Sequence, residues 1–158
     1  MKKYSIWDIL IWVFSAELVG ALSALFTGNF KDFFMENEIP PLMPPTWLFP
    51  VVWVILYAIL GFSAYLVHSA PVSDARKSPA LAVYWLQLAI NFSWSIIFFR
   101  VGLLWVGAAV AVVLLIAIIV MTGMFAKITP TAGYLNIPYV LWLIFAVYLA
   151  VASAVVNL

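Results

Sequence analysis

Five stretches of this chain, about 6–26, 47–68, 80–99, 103–125 and 134–156, are apolar over the length needed to cross a bilayer, for which roughly 20 helical residues suffice. No other feature constrains the fold as strongly. In hydrocarbon every backbone N–H and C=O must be paired within the protein, so only helices and closed barrels can span. Long apolar runs without strict alternation indicate helices. Composition agrees: 68% of residues are hydrophobic and 8% charged, with a mean hydropathy of +1.19, whereas soluble domains carry about 25% charged residues. The expected fold class is all-α, an integral membrane bundle of five transmembrane helices. The connections leave no room for a separate soluble domain, so residues 1–158 are read as one domain. Lys2 and Lys3 before the first run superficially resemble a secretory leader, but the run is too long and lacks a small-residue cleavage pattern, so it is read as a retained span.

Several chemistries are excluded at this point. The chain has no cysteine, which removes disulfides, thiolate metal sites and cysteine nucleophiles. A net charge of +1 gives no clustered basic surface for nucleic acid. His68 has no second histidine beside it, and its nearest acidic companion in sequence is Asp74, so neither a metal site nor a haem axial ligand is expected from it. No Ser-His-Asp set, glycine-rich phosphate loop or paired carboxylate occurs at a plausible membrane depth. Hydrolytic and phosphoryl-transfer activity are disfavoured, and no metal, obligatory cofactor or firm catalytic residue is expected.

The residues that stand out cluster around positions 40–57. Pro40, Pro41, Pro44 and Pro45 lie within six residues and make a stiff, non-helical approach to the second span. Thr46 is the expected N-cap, with Pro50 in the first turn. Beyond it, Phe49, Trp53 and Tyr57 recur every fourth residue and share one helix face, with Trp47 at the junction. The connection 27–45 is long for a tether and carries Phe30, Phe33 and Phe34, which favours a lid. In the third span Tyr84, Gln87, Asn91, Trp94 and Ser95 form a polar-aromatic stripe. Its amides must face other helices or a cavity, since unpaired amides are costly in a membrane. Either interhelical hydrogen bonding or an aromatic-walled pocket satisfies them. Tyr139 and Trp142 of the fifth span offer further aromatic surface. Trp7, Trp12 and Trp105 sit near span ends and are read as interfacial anchors. Glu17 is an ionisable group inside the first span, functional or simply paired. The fourth span is read as lipid-facing or structural.

Counting cations on alternating sides puts Lys2, Lys3, Arg76, Lys77 and Lys127 on one face, with Lys31 and Arg100 on the other. The positive-inside rule then places the N-terminus in the cytoplasm and the C-terminus outside.

Three ordered stretches carry a family resemblance: Pro44-Pro45-Thr46-Trp47-Leu48-Phe49-Pro50-Val51-Val52-Trp53 with Leu56-Tyr57; Gln87 through Trp94 with Phe98-Phe99; and Pro138-Tyr139 through Trp142, Phe145 and Ala146. Together they resemble the translocator protein / tryptophan-rich sensory protein family (TspO/MBR, peripheral-type benzodiazepine receptor). The resemblance implies a five-helix bundle, usually a homodimer, that binds porphyrins such as protoporphyrin IX and haem, with cholesterol-like and benzodiazepine-type ligands, in a pocket beneath the first loop. Trp53, Asn91, Trp142 and Ala146 match the family's pocket positions, with Tyr57, Gln87 and Trp94 close by. For the light-dependent porphyrin breakdown associated with some members, Trp53 and Trp142 are the matching candidates. The family loop usually reads Pro-x-Trp-x-Pro-Pro. Here Leu42 replaces that tryptophan and removes one aromatic cap. The tyrosine-to-arginine spacing tied to cholesterol recognition in animal members is missing from the fifth span, so specific sterol binding is not expected.

Three functions follow as expectations. The first is non-enzymatic binding of porphyrin-like planar ligands, for transport or sensing, by Trp47, Phe49, Trp53, Tyr57, Gln87, Asn91, Trp94, Tyr139, Trp142 and Ala146. The second is photo-oxidative porphyrin degradation. The third is a structural or regulatory partner that dimerises through Ala16, Gly20 and Ala24 of span one or Gly107 and Ala111 of span four. Membrane lipids are partners in each case.

Overall fold

The computed structural model describes residues 5–28 and 30–158, and only the backbone of Phe30 and Lys31. Lys2, Lys3 and the side chains of Phe30 and Lys31, used in the readings above, lie outside the described residues. The elements are α1 (Ile6–Thr27), α2 (Phe30–Glu36), α3 (Leu48–Ser69), α4 (Asp74–Ser95) continued by a π-helical turn (Ile96–Arg100), α5 (Leu104–Ile128), α6 (Pro130–Leu135) and α7 (Ile137–Val156). Five helical segments are long and apolar enough to cross a membrane: α1, α3, α4 with its π turn, α5, and α6 with α7. They close into a ring in which α3 packs on α1, α1 on α4, α4 on α5, α5 on α7, and α6 on α3.

Boundaries depart from the sequence reading at four places. The polar run after Ser73 is not a turn: α4 starts at Asp74, whose carboxylate lies in the first turn, complements the helix dipole and pairs with Lys77 at 3.2 Å. Pro79 falls inside this helix, just past the first turn, and is exposed; it leaves Ala75 O without its helical donor. Thr46 does not cap α3. Trp47 occupies that position with helical backbone angles and no side-chain cap, and a turn closed by Leu48 N–H donating to Pro45 O at 3.0 Å starts the helix instead. Pro50 does lie in the first turn. The fifth span starts at Pro130 and breaks at Asn136, because Pro138 cannot donate to the carbonyl of Tyr134 and crowds it. Asn136 closes the break by donating to Ser63 Oγ at 2.9 Å and to Ala132 O at 2.8 Å. Finally, α2 occupies part of the connection read as loop.

Small residues are consumed inside the subunit. A Cβ on Gly20 would lie 2.6 Å from the Tyr57 ring, and one on Gly107 would lie 2.6 Å from Phe98. Ala16 and Ala111 are buried. The faces expected to serve a dimer therefore hold α1 on α3 and α5 on the π turn, while Ala24 is exposed. One face of α5, with Leu114, Ile118, Met121 and Phe125, is fully buried, so this helix is a structural wall with lipid on its other side. Trp7 and Trp105 are exposed, as interfacial anchors are. Trp12 is not one of them: its ring packs on His68, Tyr84 and Trp85 at 5.2, 5.8 and 6.0 Å, joining α1, α3 and α4.

Candidate functional site

At the end of the bundle where α2 lies, residues 37–45 cross as a strap between α2 and α3, and three helices present aromatic rings beneath it. The fourfold spacing in α3 puts Phe49 and Trp53 toward α7: Phe49 meets Trp142 at 5.9 Å and Trp53 meets Tyr139 at 6.1 Å. Trp53 also lies 5.7 Å from Tyr57, which is buried against α1. On the α4 side the π turn carries Phe98 and Phe99 round to join Trp94, with ring separations of 5.7 Å to each. Phe33 of α2 covers them at 5.3 and 5.1 Å. Trp94 is fixed by its indole N–H, which donates to Gly107 O at 3.0 Å. Trp53 packs against both aromatic clusters, so it is the hinge of the site.

The amide stripe lies deeper. Asn91 Nδ2 donates to Tyr139 Oη at 2.8 Å, and Tyr139 Oη donates to Gln87 Oε1 at 3.2 Å. All three residues are buried. Interhelical bonding is thus how Asn91 uses its amide here, with Gln87 Nε2 left without a partner, as is the indole nitrogen of Trp142. Buried donors without partners are uncommon and cost about 1–3 kcal/mol each. Replacing Tyr139 by Phe strands two more groups, Asn91 Nδ2 and Gln87 Oε1. The expected loss is about 2 kcal/mol or more, to be read from thermal unfolding in detergent micelles. No change in midpoint would mean that the amides have other partners.

The space under the strap is about 20 Å³, lined by Phe34, Met43, Phe49, Trp94, Phe98, Phe99, Ala146, Leu149, Ala150 and Ser153. That holds about one water, while pockets for drug-sized ligands measure about 300–1,000 Å³. The site is closed and filled by its own side chains. A larger hollow of about 520 Å³, lined by Pro41 and the outer residues of α7 from Val147 to Val156, is an open groove on the outside of that helix and shares no residue with the site.

Of the sequence-derived site residues, Phe49, Trp94 and Ala146 line the space, Trp53 and Trp142 contact its aromatic walls, and Gln87, Asn91 and Tyr139 form the network below. Tyr57 faces α1, and Trp47 stands apart at 65% exposure. Sequence reasoning did not pick out Leu149, Ala150 and Ser153, although with Ala146 they repeat at helical spacing along one face of α7. Nothing local marked Met43.

These features define a class: a multi-pass helical membrane protein with an aromatic-walled site roofed by a proline-rich strap. The chain belongs to the TspO/MBR family, whose profile matches residues 12–155. It is 30% identical over 133 residues to protein CrtK of Rhodobacter capsulatus, covering 84% of this chain and 81% of that one. It is 30% identical over 149 residues to the tryptophan-rich protein TspO of Archaeoglobus fulgidus, covering 90% and 95%. Against the translocator protein of Bos taurus it is 30% identical over 133 residues, covering 82% and 78%.

Proposed function

We propose that this membrane protein binds porphyrin-like planar hydrophobic molecules, such as protoporphyrin IX or haem, beneath the strap, and that it does so to transport them or to sense their level. The observation that carries the reading is the meeting of aromatic rings from three spans beneath a stiff cover: Trp94 lines the small space there, Trp142 packs on its Phe49 wall, and Trp53 joins Tyr139 just below. Flat aromatic faces on separate helices suit a flat ligand, since each stacked pair adds about 0.5–1.5 kcal/mol beyond burial. The unpartnered Trp142 indole N–H and Gln87 amide supply donors for a ligand acceptor. Binding requires the strap to lift and the aromatic rings to separate, because the closed space is far smaller than a tetrapyrrole.

A homodimer belongs to the same reading, with its interface away from the Ala16–Gly20 and Gly107–Ala111 faces that the subunit uses internally. So does an orientation with the N-terminus in the cytoplasm, favoured by Arg76, Lys77 and Lys127. Arg76 and Lys127 do lie at one end of the bundle, the guanidinium donating to Lys127 O at 3.1 Å.

Titration in micelles separates a planar-ligand site from a general greasy surface. Protoporphyrin IX is expected to bind saturably at one site per chain with a shifted absorption band, and palmitate not to compete. Non-saturating uptake of both would reject the proposal.

A further inference from the structure

We infer that the side chain of Asn157 is the latch of the strap, a positioning residue that sets how often the closed space opens. What the opening serves rests on the ligand reading above; the latch itself rests on geometry alone. Two side chains, one on α7 and one at its C-cap, hydrogen-bond to the strap's backbone. Asn157, one residue past the end of that helix, accepts from Glu38 N–H through Oδ1 at 2.7 Å and donates through Nδ2 to Glu38 O at 3.0 Å. One carboxamide thus satisfies both main-chain groups of a single strap residue, as a neighbouring β-strand would. The same Nδ2 also donates to Ser153 O at 2.9 Å, which ties the latch back to the helix. Earlier on α7, Tyr148 Oη donates to Pro41 O at 3.0 Å.

Between these fixings and the pocket lies Leu42, with φ +63° and its side chain 77% exposed. A left-handed conformation is unfavourable for a residue with a Cβ, so the closed strap carries local strain that opening can release. The flanking prolines at 40, 41, 44 and 45 keep the segment stiff, and a stiff segment moves as a unit once its bonds to α7 break. Ala150 and Ser153, which line the space from α7 and are buried under the strap, are then uncovered.

The absence of cysteine makes the test clean. A Ser153→Cys variant carries a single thiol on α7 beneath the strap, where the side chain lines the space and is 2% exposed, and its labelling by a water-soluble maleimide, without ligand, reports opening. Asn157→Ala is expected to raise the labelling rate three- to tenfold, about what the loss of two neutral hydrogen bonds at a partly exposed site gives. Tyr148→Phe gives a smaller rise. Asn157→Asp keeps an acceptor for Glu38 N–H but sets a carboxylate oxygen against the carbonyls of Glu38 and Ser153 at a helix C-terminus, so it labels at least as fast as alanine. Unfolding midpoints measured in parallel identify any variant that labels faster through global unfolding, and an increase fully explained that way overturns the latch. So do equal rates across parent, Asn157→Ala and Tyr148→Phe. Association of protoporphyrin IX, followed in the same variants, keeps the two readings separate. Faster labelling with no porphyrin binding to the parent retires the ligand reading and leaves the latch. Porphyrin binding to the parent with unmoved labelling does the reverse.

Discussion

Gly61→Leu is expected to destabilise the bundle by about 3 kcal/mol or more. At this position α1 and α3 touch backbone to backbone: a Cβ on Gly61 would lie 2.7 Å from both Trp12 O and Val13 Cα. Close approach through small residues is how helices associate where lipid offers no hydrophobic drive. Main-chain atoms cannot rotate away as a flexible side chain can, so the whole of α1 must shift. Its principal neighbour is α3, its buried residues are Ala16, Ser23 and Thr27, and its contacts to α4, such as Trp12 on Tyr84 and Trp85, would shift with it. Overpacking a core commonly costs about 1–3 kcal/mol and occasionally more, and a leucine against backbone belongs at the upper end. Against a total stability of about 5–15 kcal/mol, that removes a large share of the margin that keeps α1 in place and the protein from aggregating. Gly123→Leu is the control, because nothing lies within 4 Å of a Cβ there. Size-exclusion profiles in detergent are expected to show a monodisperse peak for Gly123→Leu and an aggregated or depleted one for Gly61→Leu. Two equal peaks would contradict the α1–α3 packing.

What could be read in the sequence was whatever is periodic. Five apolar runs give five spans, and fourfold spacing correctly puts Phe49 and Trp53 toward α7 and the Gln87–Asn91 stripe inside the bundle. The same spacing sets Tyr57 beside Trp53 at 5.7 Å, one turn deeper, where Gly20 leaves room for its ring against α1. Trp12 was misread: a tryptophan near a span end suits the bilayer interface equally well, and its partners His68, Tyr84 and Trp85 come from two other helices. The start of α4 was hidden by polar composition, since a helix that emerges into water no longer looks apolar. Least legible was the roof. Glu38 and Asn157 are 119 residues apart, neither has a local pattern, and their pairing exists only once α7 has been placed against α3 and α5. The prolines announced a stiff strap, but nothing announced how it is held or how tightly the space beneath it is closed.

Removing both indoles that flank the junction of α3 and α7 is expected to have the largest effect on ligand binding. Trp53 touches both aromatic clusters, and Trp142 packs on Phe49 at 5.9 Å and Phe145 at 5.8 Å. In the proposed complex each supplies a flat face, and Trp142 also supplies a buried donor. Two lost stacking contacts remove roughly 1–3 kcal/mol beyond the lost burial, and every 1.4 kcal/mol is a factor of ten in the dissociation constant. Trp53→Ala with Trp142→Ala should therefore weaken binding by tenfold or more. Part of any loss could come from a relaxed pocket, so the comparison needs folded protein with the same number of indoles removed elsewhere. Trp7→Ala with Trp105→Ala provides it, since both side chains are exposed and lie outside the site. The deciding measurement is the dissociation constant of protoporphyrin IX for parent, Trp53→Ala/Trp142→Ala and Trp7→Ala/Trp105→Ala in the same micelles. A tenfold or greater loss confined to the first pair is predicted, and equal affinity in all three, or an equal loss in both pairs, would contradict a tetrapyrrole site under the strap.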